Sequence, residues 1–282
     1  MRTPLLLTVL MAPWIALAQP VDPGLQDVVN ARSLAMGMAY RATGLGADIA
    51  WGNPAMMSAF RRYQADLSGT WDYGNRFADA TVGVVDSQTS RLAAGVGYNL
   101  VSLGRGETRR TAHVNTVSFG MPVADWLHVG LAGRHLLMSG AAEANAITLD
   151  AGLVLKLGDT FSLGVTANNL VDTKHPELAR YYTASVGVVS GLFSLGVDAR
   201  ADFNTEVPHI LWSGGAEYVL GRSVPVRAGY AYDTGRGSHF LSFGLGFFTE
   251  GGGVDLAYRT ELNGPGRTVS LTFRTMIVGN GG

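Results

Sequence analysis

From residue 63 to residue 278 apolar and polar residues alternate in short runs separated by turns. Fourteen such runs can be marked: 63–73, 77–86, 91–101, 111–121, 126–138, 146–157, 161–170, 181–190, 192–202, 210–220, 224–233, 239–248, 254–262 and 267–278. A period of two repeated this often confines the chain to an all-β architecture. Side chains alternate between the two faces of a strand, so the faces can be assigned. Ile147, Leu149, Leu153 and Leu155 share one side, and Thr148, Asp150, Gly152 and Lys156 share the other. Phe161, Leu163 and Val165 oppose Ser162, Gly164, Thr166 and Asn168, while Val269, Leu271, Phe273 and Ile277 oppose Ser270, Thr272 and Arg274.

Either a second sheet or lipid must cover the apolar face. Most runs have the length a tilted strand needs to cross a bilayer, and an even count suits a closed barrel. Charged residues are only 15% of the chain and glycines number 38. These features favour a transmembrane antiparallel β-barrel of about 14 strands, 63–278. The soluble alternative is a large β-sandwich or propeller. A net charge of −1 gives no basic stripe for nucleic acid. The opening MRTPLLLTVLMAPWIALAQP has a basic residue, an apolar run and Ala16-x-Ala18, which predicts a signal peptide over 1–18. Residues 279–282 form a tail, and the chain lacks the aromatic last residue typical of bacterial barrels.

One long stretch breaks the alternation, 31–60: ARSLAMGMAYRATGLGADIAWGNPAMMSAF. It reads as short helical turns interrupted at Gly37, Gly44, Gly46 and Gly52, restarting at Asn53-Pro54, where Asn53 can cap and Pro54 suits the first helical position. Lumen-facing glycines (Gly95, Gly97, Gly130, Gly187, Gly196, Gly229, Gly244, Gly246) leave room for a guest, and 19–62 is the candidate plug. Met36-Gly37-x-Ala39-Tyr40-x-Ala42, then Asp48, then Asn53-Pro54-Ala55 with Met57, resemble the N-terminal hatch of FadL-like outer-membrane barrels, the long-chain fatty-acid transporter superfamily. The look is closest to the PorV/PorQ branch associated with protein secretion. Met38 and Met56 depart from that branch, which usually carries smaller residues there.

The resemblance implies location in the outer membrane of a Gram-negative bacterium and a hatch, and the serines, in no nucleophile-elbow context, give no reason to expect an enzyme. Two roles stay open. One is passive transport of a hydrophobic small-molecule ligand, with Met36, Met38, Trp51, Met56, Met57 and Phe60 lining its path and Asn53, Pro54 and Ala55 forming the hatch turn. The other is a scaffold or shuttle for a secreted-protein partner, for which 171–180 (VDTKHPELAR) offers the longest loop. Outer-membrane lipid is a partner in either case. Lumen charges Asp48, Asp66, Asp150, Arg134, Arg200 and Arg259 are expected to pair, because an unpaired buried charge is costly. Such pairs pin plug to wall, or form a gate when they rearrange.

No cofactor or metal is expected. The chain has no cysteine, and its six histidines (His113, His128, His135, His175, His209, His239) show no ligand spacing and read as loop or lumen residues. No GxSxG elbow accompanies the serines. Eleven aromatic residues, Trp71, Tyr73, Tyr98, Trp126, Tyr181, Tyr182, Trp212, Tyr218, Tyr230, Tyr232 and Tyr258, are expected in girdles at the membrane edges.

Overall fold

In the computed structural model, which describes residues 24–202 and 209–278, the alternating runs become fourteen antiparallel strands. They are β1 (Arg62–Asp72), β2 (Phe77–Asp86), β3 (Ala93–Leu103), β4 (Arg110–Ala124), β5 (Leu127–Gly140), β6 (Ala144–Leu157), β7 (Phe161–Asn168), β8 (Tyr181–Ser190), β9 (Phe193–Asp202), β10 (His209–Leu220), β11 (Val224–Asp233), β12 (Ser238–Thr249), β13 (Gly252–Glu261) and β14 (Arg267–Val278). Each strand pairs with its neighbours in sequence, and β1 pairs with β14 from Arg62↔Val278 to Asp72↔Thr268. The barrel is closed, so no strand leaves an unpaired edge in lipid. The predicted signal peptide 1–18, the tail 279–282 and most of the loop expected at 203–209 lie outside the described residues.

The two faces follow the period-two reading. Ile147 is 66% exposed and Leu149 49%, whereas Thr148 and Asp150 are buried. An outer surface carrying Leu67, Val117, Leu131, Val165, Leu256 and Phe273 is far too apolar for water and is what a bilayer-spanning barrel presents. No helix among the described residues is long and apolar enough to cross a membrane. The strands carry that task.

Connections at the two ends of the barrel differ. After odd-numbered strands come 73–76, 104–109, 141–143, 169–180, 203–208, 234–237 and 262–266; after even-numbered strands come 87–92, 125–126, 158–160, 191–192, 221–223 and 250–251. The longer set marks the extracellular end. Two details differ from the sequence reading. β5 and β6 pair further outward, to Met138↔Ala144, which shrinks the expected loop 139–145. Tyr181, expected in a girdle, points inward at 4% exposure because it shares the parity of Thr183 and Ser185.

Residues 24–61 run through the inside of this barrel. Asn30 caps α1 (Ala31–Ala35), its Oδ1 accepting from the Ser33 N–H at 2.9 Å. The chain then reverses at Gly37 and Met38, both left-handed with φ of 64° and 75°. Glycine tolerates that region and methionine adopts it only at a cost, so Met38 holds a strained backbone there. After α2 (Ile49–Gly52), Asn53 caps a 3₁₀ turn, Pro54–Ala59, whose first residue is the proline. This local chemistry follows the sequence expectation for Asn53 and Pro54.

Glycines make room for the segment. Gly187, Gly196, Gly215 and Gly229 stand in cross-strand register on β8 to β11. A Cβ on the first three would strike the carbonyl oxygens of Ala42, Ala39 and Met36, and on Gly229 the backbone of Met36 and Gly37. On the opposite side Gly120, Gly130 and Gly152 form a second row, against Pro54, Ala55 and Asn53. Except at Gly152, which meets the Asn53 side chain, backbone here meets backbone, which only residues without side chains permit. Gly246 differs from the other lumenal glycines: its space is taken by Asp255, Pro225 and Phe248 of the wall.

Candidate functional site

The interior divides into three zones, and the charged one is central. Arg32 donates to both carboxylate oxygens of Glu217, at 3.0 and 2.9 Å. Glu217 also accepts from Arg227 at 2.5 Å, and Arg227 reaches Asp255 at 2.5 Å. Arg274 continues the chain, 3.6 Å from Asp255 and 3.0 Å from Asp66. Asp66 in turn accepts from the Ala47 N–H at 2.8 Å and from Asn30 at 3.3 Å. A second anchor joins Arg41 to Asp198 at 3.2 Å. Every member is buried, so alternating charge stands in for water.

The predicted lumen charges fall into place unevenly. Asp66 pairs as described, Asp150 lies 3.5 Å from Arg134, and Arg200 lies 3.2 Å from Asp27 of the internal segment. Among the described residues Asp48 forms no ion pair. It is held by the Asn30 backbone N–H at 3.3 Å and the Asn30 amide at 3.0 Å. Burial pushes its carboxyl above the ordinary range. Arg259 instead stacks over the Phe240 ring at 5.2 Å. For these two the expected pairing is corrected.

The expected ligand-lining residues form a packed core. Met38, Trp51, Met56 and Met57 are buried together with Leu34 and Ile49 against Val85, Ala93 and Val154 of the wall. Met36 is fully buried with its backbone on Gly215 and Gly229, and Trp51 Nε1 donates to the Val28 carbonyl at 3.1 Å. Phe60, at the periplasmic end, has Arg62 and Lys156 each 5.7 Å from its ring. Asn53 Nδ2 donates to the Arg41 carbonyl at 3.0 Å, which ties the Asn53-Pro54-Ala55 turn to the first half of the segment. Below this turn Ser58 Oγ bonds His128 Nδ1 at 3.0 Å, beside a cleft of about 240 Å³ that Arg61 and Lys156 also line.

The third zone was not named from the sequence. Toward the extracellular end the inward positions of β2 to β5 turn apolar: Phe77, Val101, Leu103, Val114, Leu136 and Met138. They share the parity of Asn99, Thr116 and Arg134, so alternation alone placed them inside; their apolar character was the missed signal. Leu25 and Val28 of the internal segment and Leu178 of the 169–180 loop fill the space they enclose. The segment therefore reaches the extracellular end, further than a plug confined to the periplasmic side. Across the lumen Asp27 turns to the cationic wall, with Arg200 at 3.2 Å and Arg236 at 3.6 Å. Burial alone would raise the Asp27 carboxyl, but Arg200, Arg236 and Arg259 outweigh it and hold it near 2.

The 169–180 loop is committed to this lid. Glu177 accepts from the Leu25 N–H at 3.4 Å and pairs with Arg110 at 3.3 Å. The histidines scatter. His113, His135 and His239 lie on the outer face, bonded to Tyr98, Asn145 and Tyr230 at 2.8, 2.9 and 2.5 Å, which corrects the loop-or-lumen expectation for them.

No protein-family model and no curated protein sequence matches the chain. Solved structures do. The monoaromatic hydrocarbon channel CymD superposes with a TM-score of 0.72 at 14% identity, covering 92% of this chain and 100% of the other. The toluene transporter TbuX of Ralstonia pickettii gives 0.63 at 13% identity, covering 89% and 98%. A FadL homologue of Pseudomonas aeruginosa gives 0.64 at 14% identity, covering 88% and 97%. The secretion-linked branch finds no support in these similarities. At such identities the likeness establishes the architecture, and this chain has the fold of the FadL-like barrels.

Proposed function

We propose that this protein is an outer-membrane channel for passive entry of small hydrophobic molecules, and that the apolar zone of β2 to β5 is its binding chamber. The observation that carries the reading is a block of inward-facing apolar side chains at the extracellular end of the lumen, covered by Leu25, Val28 and Leu178. An apolar wall near the extracellular entrance suits a ligand that water solvates poorly. The similar structures described as monoaromatic hydrocarbon channels and toluene transporters suggest the size class.

In this reading Leu25 and Val28 occupy the place of the ligand and withdraw when it enters. The FadL resemblance implies that the ligand leaves through the side of the wall. A thin place in the wall is the row Gly120, Gly130 and Gly152, where an apolar dent of about 470 Å³ on the outer face is lined by Phe119, Met121 and Leu131. The Asn53 side chain and the Pro54–Ala55 backbone lie behind it. The adjoining bulge between Pro122 and Ala124 loosens the β4–β5 pairing there. The six sequence-predicted lining residues enter the path only if the segment moves.

A secretion scaffold is disfavoured by its own best loop, since Glu177 and Leu178 face the lumen and not a partner. The test is uptake of radiolabelled toluene by cells lacking other such channels. Uptake should exceed that of empty cells, and Val114→Asp should abolish the difference while the barrel still assembles. Uptake equal to that of empty cells, or unchanged by Val114→Asp, contradicts the proposal.

A further inference from the structure

At the extracellular rim most cations are engaged by the protein. Arg110 pairs with Glu177 at 3.3 Å, Arg236 with Asp233 at 3.3 Å, and Arg267 donates to the Glu261 carbonyl at 2.8 Å. Arg76, Arg105 and Arg109 are the exception. All three are exposed, and none has a side-chain hydrogen bond or ion pair among the described residues. Glu107, on the same loop, pairs with neither neighbour.

They stand together around one cleft of about 250 Å³, on the membrane side of the barrel. Its floor is a cross-strand row of outward residues, Trp71↔Ala78 and Ala78↔Ser102, in which two small side chains lie beside an indole. The Gly104 N–H donates to the Arg76 carbonyl at 3.1 Å, which ties the 73–76 turn to the 104–109 loop. The Arg109 N–H donates to the Gly106 carbonyl at 3.2 Å, and the Ala141 N–H to the Arg109 carbonyl at 3.0 Å. The backbone beneath the three guanidinium groups is thus fixed. Trp71 and Tyr73 meet edge to face at 6.0 Å, and such aromatic residues mark the headgroup level.

We propose that this cleft docks the phosphate group of a glycolipid in the outer leaflet. The arrangement is amphipathic: the exposed Trp71 indole and Ala78 offer apolar contact to acyl chains, and the Ser102 hydroxyl and three unengaged guanidinium groups offer polar contact to headgroups. Guanidinium groups bind phosphate through paired, charge-assisted hydrogen bonds, and three of them suit a dianionic group. Bilayer headgroups are present at this height all around the barrel, so the anion need not be captured from solution. The proposal does not depend on what passes through the lumen.

The test is native mass spectrometry of the purified, delipidated barrel titrated with an acylated, bis-phosphorylated glucosamine disaccharide, alongside the phosphate-free form of the same lipid. The intact protein should hold the phosphorylated lipid at least about tenfold more tightly than the phosphate-free one. A variant with Arg76→Gln, Arg105→Gln and Arg109→Gln should lose that preference, whereas lysine at the three positions should keep part of it. Equal binding of the two lipids by the intact protein overturns the proposal whether or not the glutamine variant assembles. Preference undiminished in an assembled glutamine variant overturns it too, as does displacement of the lipid by millimolar inorganic phosphate, since the cleft would then be a free-anion site.

Discussion

The Arg32 guanidinium of the internal segment lies 2.9 Å from the Glu217 carboxylate of β10, both almost wholly shielded from solvent. The segment is therefore fastened to the wall by charge at its first helix. Asp27–Arg200 and Arg41–Asp198 fasten it again before and after the Gly37–Met38 reversal.

Breaking the first pair should loosen the segment and spare the barrel. Arg32→Ala removes one partner of a buried bridge, a change that costs roughly 3–5 kcal/mol when the remaining charge stays buried. Glu217 keeps Arg227, which places this case at the lower end. Limited proteolysis should cut the segment faster in the variant, while heat-modifiable migration of the barrel persists. Equal resistance in both proteins would show that the bridge does not hold the segment.

Arginine at Leu149 or Leu271, exposed near the middle of β6 and β14, should impair assembly by about 2–4 kcal/mol each. Leu163 lies closer to the periplasmic end of β7 and should cost less. The inward counterparts are not neutral. Ser162 Oγ donates to the Ala42 carbonyl at 2.5 Å, so Ser162→Arg should displace the segment while the strands still close. Assembly yield from cells, measured together with segment proteolysis, separates the two outcomes.

The glycine row gives a sharper test of backbone contact. Gly215→Val places a branched side chain where the Met36 backbone lies, yet valine suits the strand itself. The barrel should assemble and the segment should become accessible to protease. A variant as protected as the parent would mean that the two backbones do not touch.

Asp27 supplies a pH prediction. Its folded-state pKa, near 2, is below its ordinary value of 3.8. A depressed carboxylate contributes stability above its unfolded pKa and loses it as pH falls through the folded one. Docking of residues 24–29 should therefore be flat from pH 8 to about pH 4 and weaken only below that. Asp27→Asn should loosen them across that whole range. A spin label at Val28, read by its mobility, reports both.

Strand number, facing and the interruption at 31–60 were legible because each depends on local periodicity. Asn53 and Pro54 were legible for the same reason, since a cap and a first-turn proline act over a few residues. What was missed is set at long range. Val101, Val114 and Leu136 have inward parity in the sequence, but their cover comes from Leu25 and Leu178, distant in the chain. Asp48 was expected to find a cation, and it lies between Asn30 and its neighbours because the segment folds on itself before it meets the wall. Tyr181 follows parity, and its aromatic character outweighed that signal in the reading.

The internal segment is expected to close a lumen that the barrel alone would leave open. Single-channel recording in planar bilayers, comparing the intact protein with a form lacking residues 26–57, tests it most directly. The barrel of the shortened form should survive, because its strand pairing closes without the segment. The intact protein should stay nearly closed to small ions and the shortened one should conduct steadily. Equal conductance in the two would contradict it.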